Sequence, residues 1–230
     1  MSTFIHLPGS IFTFLKELKQ NNNREWFSEH KEQFLTQQDI IIAFADQLLA
    51  KLSLHDVIET PSGKKSVYRI YRDIRFSNDK TPFKNYWSGS FTRATSQRRG
   101  GYYFHLESGN SYIVGGFQAP NTQDIKRIRE AISYDSSQLQ TILNQPLFIK
   151  TFGKLEGEQL KTTPKGFDAN DPAIVLLRFK QFRLVRRFTD KEVLSEDFLE
   201  EADKALRNMR PFFDYMSEVL TTDNNGNPIV

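Results

Sequence analysis

Tyr102-Tyr-Phe-His-Leu-Glu-Ser-Gly-Asn-Ser-Tyr-Ile-Val-Gly-Gly-Phe117 carries the plainest signal in the chain. Apolar and polar residues alternate on both sides of Ser108-Gly109-Asn110, a turn-forming triplet, so the stretch predicts a β-hairpin. With a period of two, Tyr102, Phe104 and Leu106 face one way and Tyr103, His105 and Glu107 the other. A lone hairpin is marginal in water and needs further strands. Phe83–Thr92 and Gln181–Phe188 are expected to supply them. Val67–Phe76 also alternates, with Tyr68, Ile70, Ile74 and Phe76 on one face and Arg69, Tyr71, Asp73 and Arg75 on the other; Arg72 interrupts the apolar side. A shorter strand is expected over Gly157–Lys161.

Toward both ends the period lengthens to that of a helix. Ser10 is placed to cap a helix running to about Lys19, with Ile11, Phe14, Leu15 and Leu18 as its buried face. Asn21-Asn22-Asn23 ends it, and Asn23 caps a longer helix to about Leu52. Its stripe is Phe27, His30, Phe34, Gln37, Ile41, Phe44 and Leu48. His30 and Gln37 are the polar members of that stripe, and His30 is expected to be hydrogen-bonded beneath aromatic neighbours. Further helices are expected from a Thr122 cap to about Ile132, over Ser136–Leu143, and over Ala173–Lys180 after Asp171-Pro172. Thr189-Asp-Lys-Glu192 fits a capping box, and a long terminal helix spans Phe198–Leu220. Helices at both ends and strands in the middle predict an α+β fold. The expected form is a single domain over residues 1–220, its central, largely antiparallel sheet covered by helices from both terminal thirds. Residues 221–230 read as a polar, fraying tail.

A chain of 230 residues and 26.8 kDa suits one hydrophobic core. The 20 Phe, 8 Tyr and 2 Trp exclude a disordered or low-complexity protein. Cysteine is absent, which removes disulfides, thiolate metal sites and cysteine nucleophiles. The first residues lack the basic and apolar regions of a signal peptide. The longest apolar run, Ile40–Ala45, is far short of the ~20 residues that cross a bilayer. The expectation is a soluble, cytoplasmic protein with no membrane partner.

Net charge is only +3, but between Lys64 and Arg99 ten basic residues face only Asp73 and Asp79. Arg69, Arg72, Arg75, Lys80 and Lys84 are the candidate ligands for an anion, since guanidinium forks match phosphate or carboxylate oxygens in pairs and lysine adds a mobile charge. His105 and Glu107 share a strand face and are the candidate acid-base pair. Two such ligands do not make a metal site, so no metal is expected. Tyr68, Tyr71, Phe76, Phe83, Tyr86, Trp87 and Phe91 interleave with the basic block, a pattern used to stack single-stranded nucleic acid, although no RNP-type motif accompanies it. Arg178, Lys180, Arg183, Arg186 and Arg187 read as the polar side of a helix-strand unit. Gly100-Gly101 and Gly115-Gly116 match no dinucleotide or P-loop pattern, no GxSxG elbow is present, and no cofactor is implied. Asp168 and Asp171 lie in turn-like contexts and read as caps.

Asn21-Asn-Asn-Arg-Glu-Trp-Phe27, the basic block Arg69–Lys84, Gly101-Tyr-Tyr-Phe-His-Leu-Glu107 and Pro164-Lys-Gly-Phe-Asp168 occur in this order. Together they resemble the bacterial conserved hypothetical family called domain of unknown function 2461, over about Phe12–Tyr215. The chain departs from that pattern at Ser108 and Phe188, where proline is expected. The resemblance implies a single domain but no activity, cofactor or catalytic residue. Three functions are compatible with the residues. The first is binding of an anionic, phosphorylated or carboxylate small molecule, with or without catalysis. The second is a nucleic-acid-binding module on a basic aromatic sheet, and the third a protein-interaction domain whose charges pair internally.

Overall fold

A computed structural model describes residues 5–223 and 226–229. In chain order it contains α1 (Ser10–Gln20), α2 (Arg24–Glu29), α3 (Lys31–Leu52), α4 (Gly63–Ser66), β1 (Trp87–Thr92), β2 (Gly101–Leu106), β3 (Ser111–Phe117), α5 (Thr122–Tyr134), α6 (Ser137–Leu143), α7 (Pro146–Phe152), α8 (Ile174–Leu177), β4 (Phe182–Phe188), α9 (Asp190–Val193), α10 (Phe198–Asn208) and α11 (Arg210–Thr221). The four strands form one antiparallel sheet in the order β1-β2-β3-β4. The fold is α+β, and the hairpin at its centre is the one the alternation predicts.

By contacts the chain divides into two compact units, and strand residues are shared out between them. The first comprises the described residues of Met1–Phe91, Tyr103–Ile113 and Arg187–Lys204; the second comprises those of Thr92–Tyr102, Val114–Arg186 and Ala205–Val230.

In the first unit the three asparagines act separately. Asn21 Nδ2 donates to the Glu17 carbonyl at the end of α1 (3.0 Å), and Asn23 Oδ1 accepts the Trp26 N–H (2.9 Å) to open α2. Gly9 occupies the cap of α1; Ser10, expected there, lies in the first turn. Its hydroxyl donates to Gln37 Oε1 at 2.9 Å, which satisfies a side chain only 7% exposed. The helix expected from Asn23 to Leu52 is broken at His30. His30 Nδ1 lies 2.8 Å from the Trp26 carbonyl, which also accepts the His30 N–H at 3.1 Å. Side chain and backbone share one acceptor, and the helix restarts one residue later.

Apart from the half-buried His30, the stripe is buried as expected. Phe44 on α3 meets Phe104 on β2 edge-on at 5.8 Å and stacks on Phe198 of α10 at 5.4 Å. Phe34 stacks on Trp87 of β1 at 5.6 Å. Burying each such ring contributes roughly 1.5–3 kcal/mol. On β1, a Cβ at Gly89 would lie 2.5 Å from the Phe104 ring, so the strand is bare there.

Val67–Phe76 is not the regular strand its alternation predicts. Only isolated bridges join it to the next segment, Val67 to Gly89 and Tyr71 to Phe83. Four residue steps from 67 to 71 therefore oppose six from 83 to 89. Lys84 N–H still pairs with the Ile70 carbonyl and Tyr68 N–H with the Ser88 carbonyl, both at 2.8 Å, so the surplus bulges out just after Lys84, around Asn85–Tyr86, and the ladder breaks. Ile70 is buried, while Phe76, expected on the same face, is 96% exposed.

In the second unit, Tyr102 on β2 packs edge-on against Phe213 of α11 at 5.0 Å, and Phe117 of β3 packs against Phe212 and Phe213. The terminal helix expected as one piece divides at Met209, because Pro211 cannot donate within a continuing helix and instead stands at the start of α11. Asn121, not Thr122, caps α5 by accepting the Asp124 N–H at 2.8 Å. The helix expected over Ala173–Lys180 shrinks to the single turn α8, and Gly157–Lys161 contributes only bridges near β4 rather than a strand. Helix α7 was not anticipated. Asp168 and Asp171 do serve turns: Asp171 Oδ1 accepts the Ala173 N–H at 2.7 Å, and Asp168 Oδ1 the Asn170 N–H at 2.9 Å. In the polar tail, Thr222 bridges Pro228 and the Asp223 N–H reaches the Asn227 carbonyl at 2.9 Å, so these residues pair rather than fray; residues 224–225 and 230 lie outside the described residues.

Candidate functional site

The five expected anion ligands lie in the first unit, and most of their charge is already engaged. Arg72 Nη1 pairs with Asp79 at 2.5 Å and also reaches the Thr81 hydroxyl. The Asp79 carboxylate accepts the Thr81 N–H and hydroxyl (2.9 and 2.8 Å) as well. The backbone bond from Thr81, then its hydroxyl, then Arg72 hold the Asp79 pKa down to about 2. Arg75 grips Asp73 in bidentate fashion, Nε to Oδ1 at 2.9 Å and Nη2 to Oδ2 at 2.6 Å. Lys80 donates to the Ile74 carbonyl at 3.0 Å. The expected convergence of all five does not form, because two aspartates two and seven residues from their arginines close the 72–81 turn locally.

Arg69 and Lys84 are different. Lys84 Nζ donates to the Arg69 carbonyl at 2.8 Å and lies 5.4 Å over the Tyr68 ring. Among the described residues neither side chain forms an ion pair, and Arg69 makes no side-chain hydrogen bond. Burial, then the nearby Arg69 charge, push the Lys84 pKa down.

The bulge directly after Lys84 brings Asn85 and Tyr86 against Glu107 and His105 of the hairpin. His105 sits there, 6% exposed, between the rings of Tyr86 (4.3 Å) and Tyr112 (4.7 Å, 9° between planes). Its Nε2 is 3.2 Å from Glu107 Oε2 and its Nδ1 3.2 Å from the Tyr103 hydroxyl. Asn85 and Asn110 each donate to Glu107, at 2.8 and 3.0 Å. Burial favours the neutral acid at Glu107, but bonds from Asn110 and His105 outweigh it, and the net displacement of its pKa is downward. Burial likewise holds the His105 pKa below the ordinary value, against the opposing pull of Glu107.

These directions assign the protons. An ionised Glu107 only accepts, so the neutral imidazole carries its hydrogen on Nε2 and donates to the carboxylate. The free Nδ1 lone pair then accepts the Tyr103 O–H. Burial, the largest influence on Tyr103, raises its pKa and keeps the phenol protonated. Tyr68 adjoins Tyr103 at 6.3 Å between ring centroids, with its hydroxyl 2.9 Å from Ser90 Oγ. Lys84, Tyr68, Tyr103, His105 and Glu107 thus form one continuous row, with cation at one end and carboxylate at the other. A group seated at the Lys84 end meets positive charge and the Tyr68 hydroxyl, while the Tyr103 O–H stays directed at the imidazole and fixes the Tyr103 ring beside Tyr68.

Alternation in β2 identified His105 and Glu107 and placed Tyr103 on their face without giving it a role. Tyr86 and Tyr112 were readable only as rings on neighbouring strands. The linkage through Tyr68 depends on the bulge, for which the sequence has no obvious marker.

The sequence pattern described as conserved hypothetical protein (DUF2461) matches residues 10–215. The chain belongs to the DUF2461 family. No curated protein and no solved structure matches it. Every residue of the row from Lys84 to Glu107 lies within the DUF2461 match, as do the asparagine triplet and both closed arginine-aspartate pairs. No helix among the described residues of this DUF2461 protein is long and apolar enough to cross a membrane.

Proposed function

We propose that this DUF2461 protein binds a small anionic molecule, a phosphate monoester or a carboxylate, at Arg69 and Lys84 on the first unit, as a cytoplasmic protein. The observation that carries this reading is a pair of adjacent cations, neither in an ion pair, beside a row of hydroxyls. Within Arg69–Lys84, Arg72 and Arg75 are paired with aspartates; among the described residues Arg69 and Lys84 form no ion pair. In this reading the Tyr68 hydroxyl, paired with Ser90, donates to the bound anion, and His105 with Glu107 fixes the orientation of Tyr103 behind it. Arg72, Arg75 and Lys80 shape the adjoining turn and make no contact with the ligand.

The test is calorimetric titration with inorganic phosphate, phenyl phosphate and benzoate at low salt. Binding of at least one is expected, weakened tenfold or more by Lys84→Ala or Arg69→Ala. Glu107→Gln is expected to retain binding and alter its pH dependence. No heat with any of the three, or binding undiminished in both cation variants, overturns the proposal.

A second reading, binding of single-stranded nucleic acid, is favoured by Tyr68, Tyr71 and Phe76, which are 47%, 54% and 96% exposed among the same cations. It expects affinity that falls steeply with salt and drops on Phe76→Ala. Phe83, Trp87 and Phe91 are buried in the core and take no part in it.

A further inference from the structure

The second unit contains a cleft of about 620 Å³ between α6, α7, α8 and the segment 154–159. That volume lies within the ~300–1,000 Å³ usual for small-molecule sites. Leu143, Phe148, Ile149, Val175, Leu176 and Phe179 form its apolar wall. Two of these are unusually wet for large aliphatic side chains, Ile149 at 50% and Val175 at 61% exposed.

Arg183, from β4, supplies the fixed charge in this cleft. Its backbone is tied to Glu156 by two hydrogen bonds, Arg183 N–H to Glu156 carbonyl at 2.8 Å and Glu156 N–H to Arg183 carbonyl at 2.9 Å. Its guanidinium is far less well served. Among the described residues its buried Nε donates to nothing, and one side-chain bond runs from Nη1 to Gln118 Oε1 at 3.4 Å. Glu158, the acidic neighbour two residues from Glu156, is taken by Lys180 at 2.7 Å. A buried donor without an acceptor costs roughly 1–3 kcal/mol, and a well-folded chain seldom leaves one. Lys154 adds a second cation at the rim and forms no ion pair among the described residues. Glu156 is the one carboxylate in the lining and has interactions of its own.

We propose that this cleft binds a carboxylic acid with an apolar tail, its carboxylate held by Arg183 and its tail lying along Ile149, Val175 and Leu176. The long bond to Gln118 yields as the guanidinium turns its Nε–Nη2 edge toward the cleft. That edge presents two parallel N–H groups, the arrangement a carboxylate accepts side-on. The tail covers the two exposed aliphatic side chains and gains roughly 25 cal/mol per Å² of apolar surface removed from water. This site is separate from Arg69 and Lys84 and does not depend on their having a ligand.

The experiment is calorimetric titration with octanoate, octanol and octylamine, with methyl NMR of Ile149 and Val175 to locate binding. Octanoate is expected to bind and shift both methyl signals, with octanol at least tenfold weaker and octylamine inert. Arg183→Met keeps the aliphatic stem and is expected to reduce octanoate to the affinity of octanol. Val175→Gln, on the exposed side of α8, is expected to weaken octanoate and leave the melting temperature unchanged. Lys84→Ala is expected to leave octanoate binding intact. Octanol binding as tightly as octanoate, preference for octylamine, undiminished binding in Arg183→Met, or methyl signals unmoved by octanoate would each overturn the proposal.

Discussion

Asn22 holds Phe83 by its backbone from both sides: Asn22 Nδ2 donates to the Phe83 carbonyl at 3.0 Å and Asn22 Oδ1 accepts the Phe83 N–H at 3.1 Å. One side-chain amide thus does what a paired strand residue would do, across 61 positions of sequence. It anchors the segment that bulges just after Lys84, and Phe27 stacks on the Phe83 ring at 4.1 Å to complete the clamp. The middle asparagine of the triplet therefore joins the helical N-terminal part of the first unit to the site.

Asn22→Ala is expected to destabilise the protein by about 2 kcal/mol, since two bonds worth roughly 1 kcal/mol each are lost. Asn22→Asp keeps the acceptor and loses the donor, so it is expected to cost less than alanine at neutral pH. Urea unfolding of the three proteins checks the order; an alanine variant as stable as the parent would contradict the clamp.

Arg93 in the second unit has a side chain only 1% exposed, yet its partners are well matched. It donates to the Arg99 carbonyl at 2.8 Å, to Ser217 Oγ at 3.2 Å and to Asp214 at 3.2 Å, and its guanidinium lies 5.0 Å from the Phe213 ring centre. A lysine cannot span these acceptors or lie flat on the ring. Arg93→Lys is expected to cost about 2–3 kcal/mol by the same unfolding measurement, on the scale of a broken buried charge network. Asp214→Ala is expected to cost under about 1 kcal/mol, because that carboxylate is 57% exposed.

Stability is expected to fall as the solution is acidified from pH 7.5. Burial holds the His105 pKa below its usual 6.5, so the unfolded chain takes up this proton first. The His105 contribution is complete above pH 6.5 and is lost as pH drops below it. Glu107, also held low, contributes fully above its ordinary 4.5 and loses that contribution beneath it. Melting temperatures at pH 7.5, 6.5 and 5.5 are expected to decline, and His105→Gln is expected to flatten the decline. In the parent, the His105 ring protons are expected to titrate in NMR below the usual histidine range. Titration at or above pH 6.5 would contradict the assigned proton arrangement.

The hairpin was legible because both of its strands alternate strictly and its turn residues are distinctive. The capping box at Thr189 and the buried stripe of α3 were legible for similarly local reasons. Three features were not. The break at His30 depends on a ring that competes for a carbonyl within its own helix. Val67–Phe76 has the alternation of a strand, but its partner segment has two residues too many to stay in step. The basic block looked like a binding cluster because sequence shows charges without their pairings. Only in three dimensions do Asp73 and Asp79 claim Arg75 and Arg72, leaving Arg69 and Lys84 as the cations beside the row of hydroxyls.

The bare position on β1 limits the routes by which this chain can change. Gly89→Ala alone forces a methyl group against the Phe104 ring and is expected to cost about 1–3 kcal/mol. With Phe104→Leu already in place the same alanine is expected to cost measurably less, a coupling that a double-mutant cycle would detect. The Ser66 carbonyl would still stand 2.9 Å from that methyl group, so a smaller residue at position 104 relieves the crowding only in part, and a ring and a backbone oxygen together keep this point of the strand without a side chain.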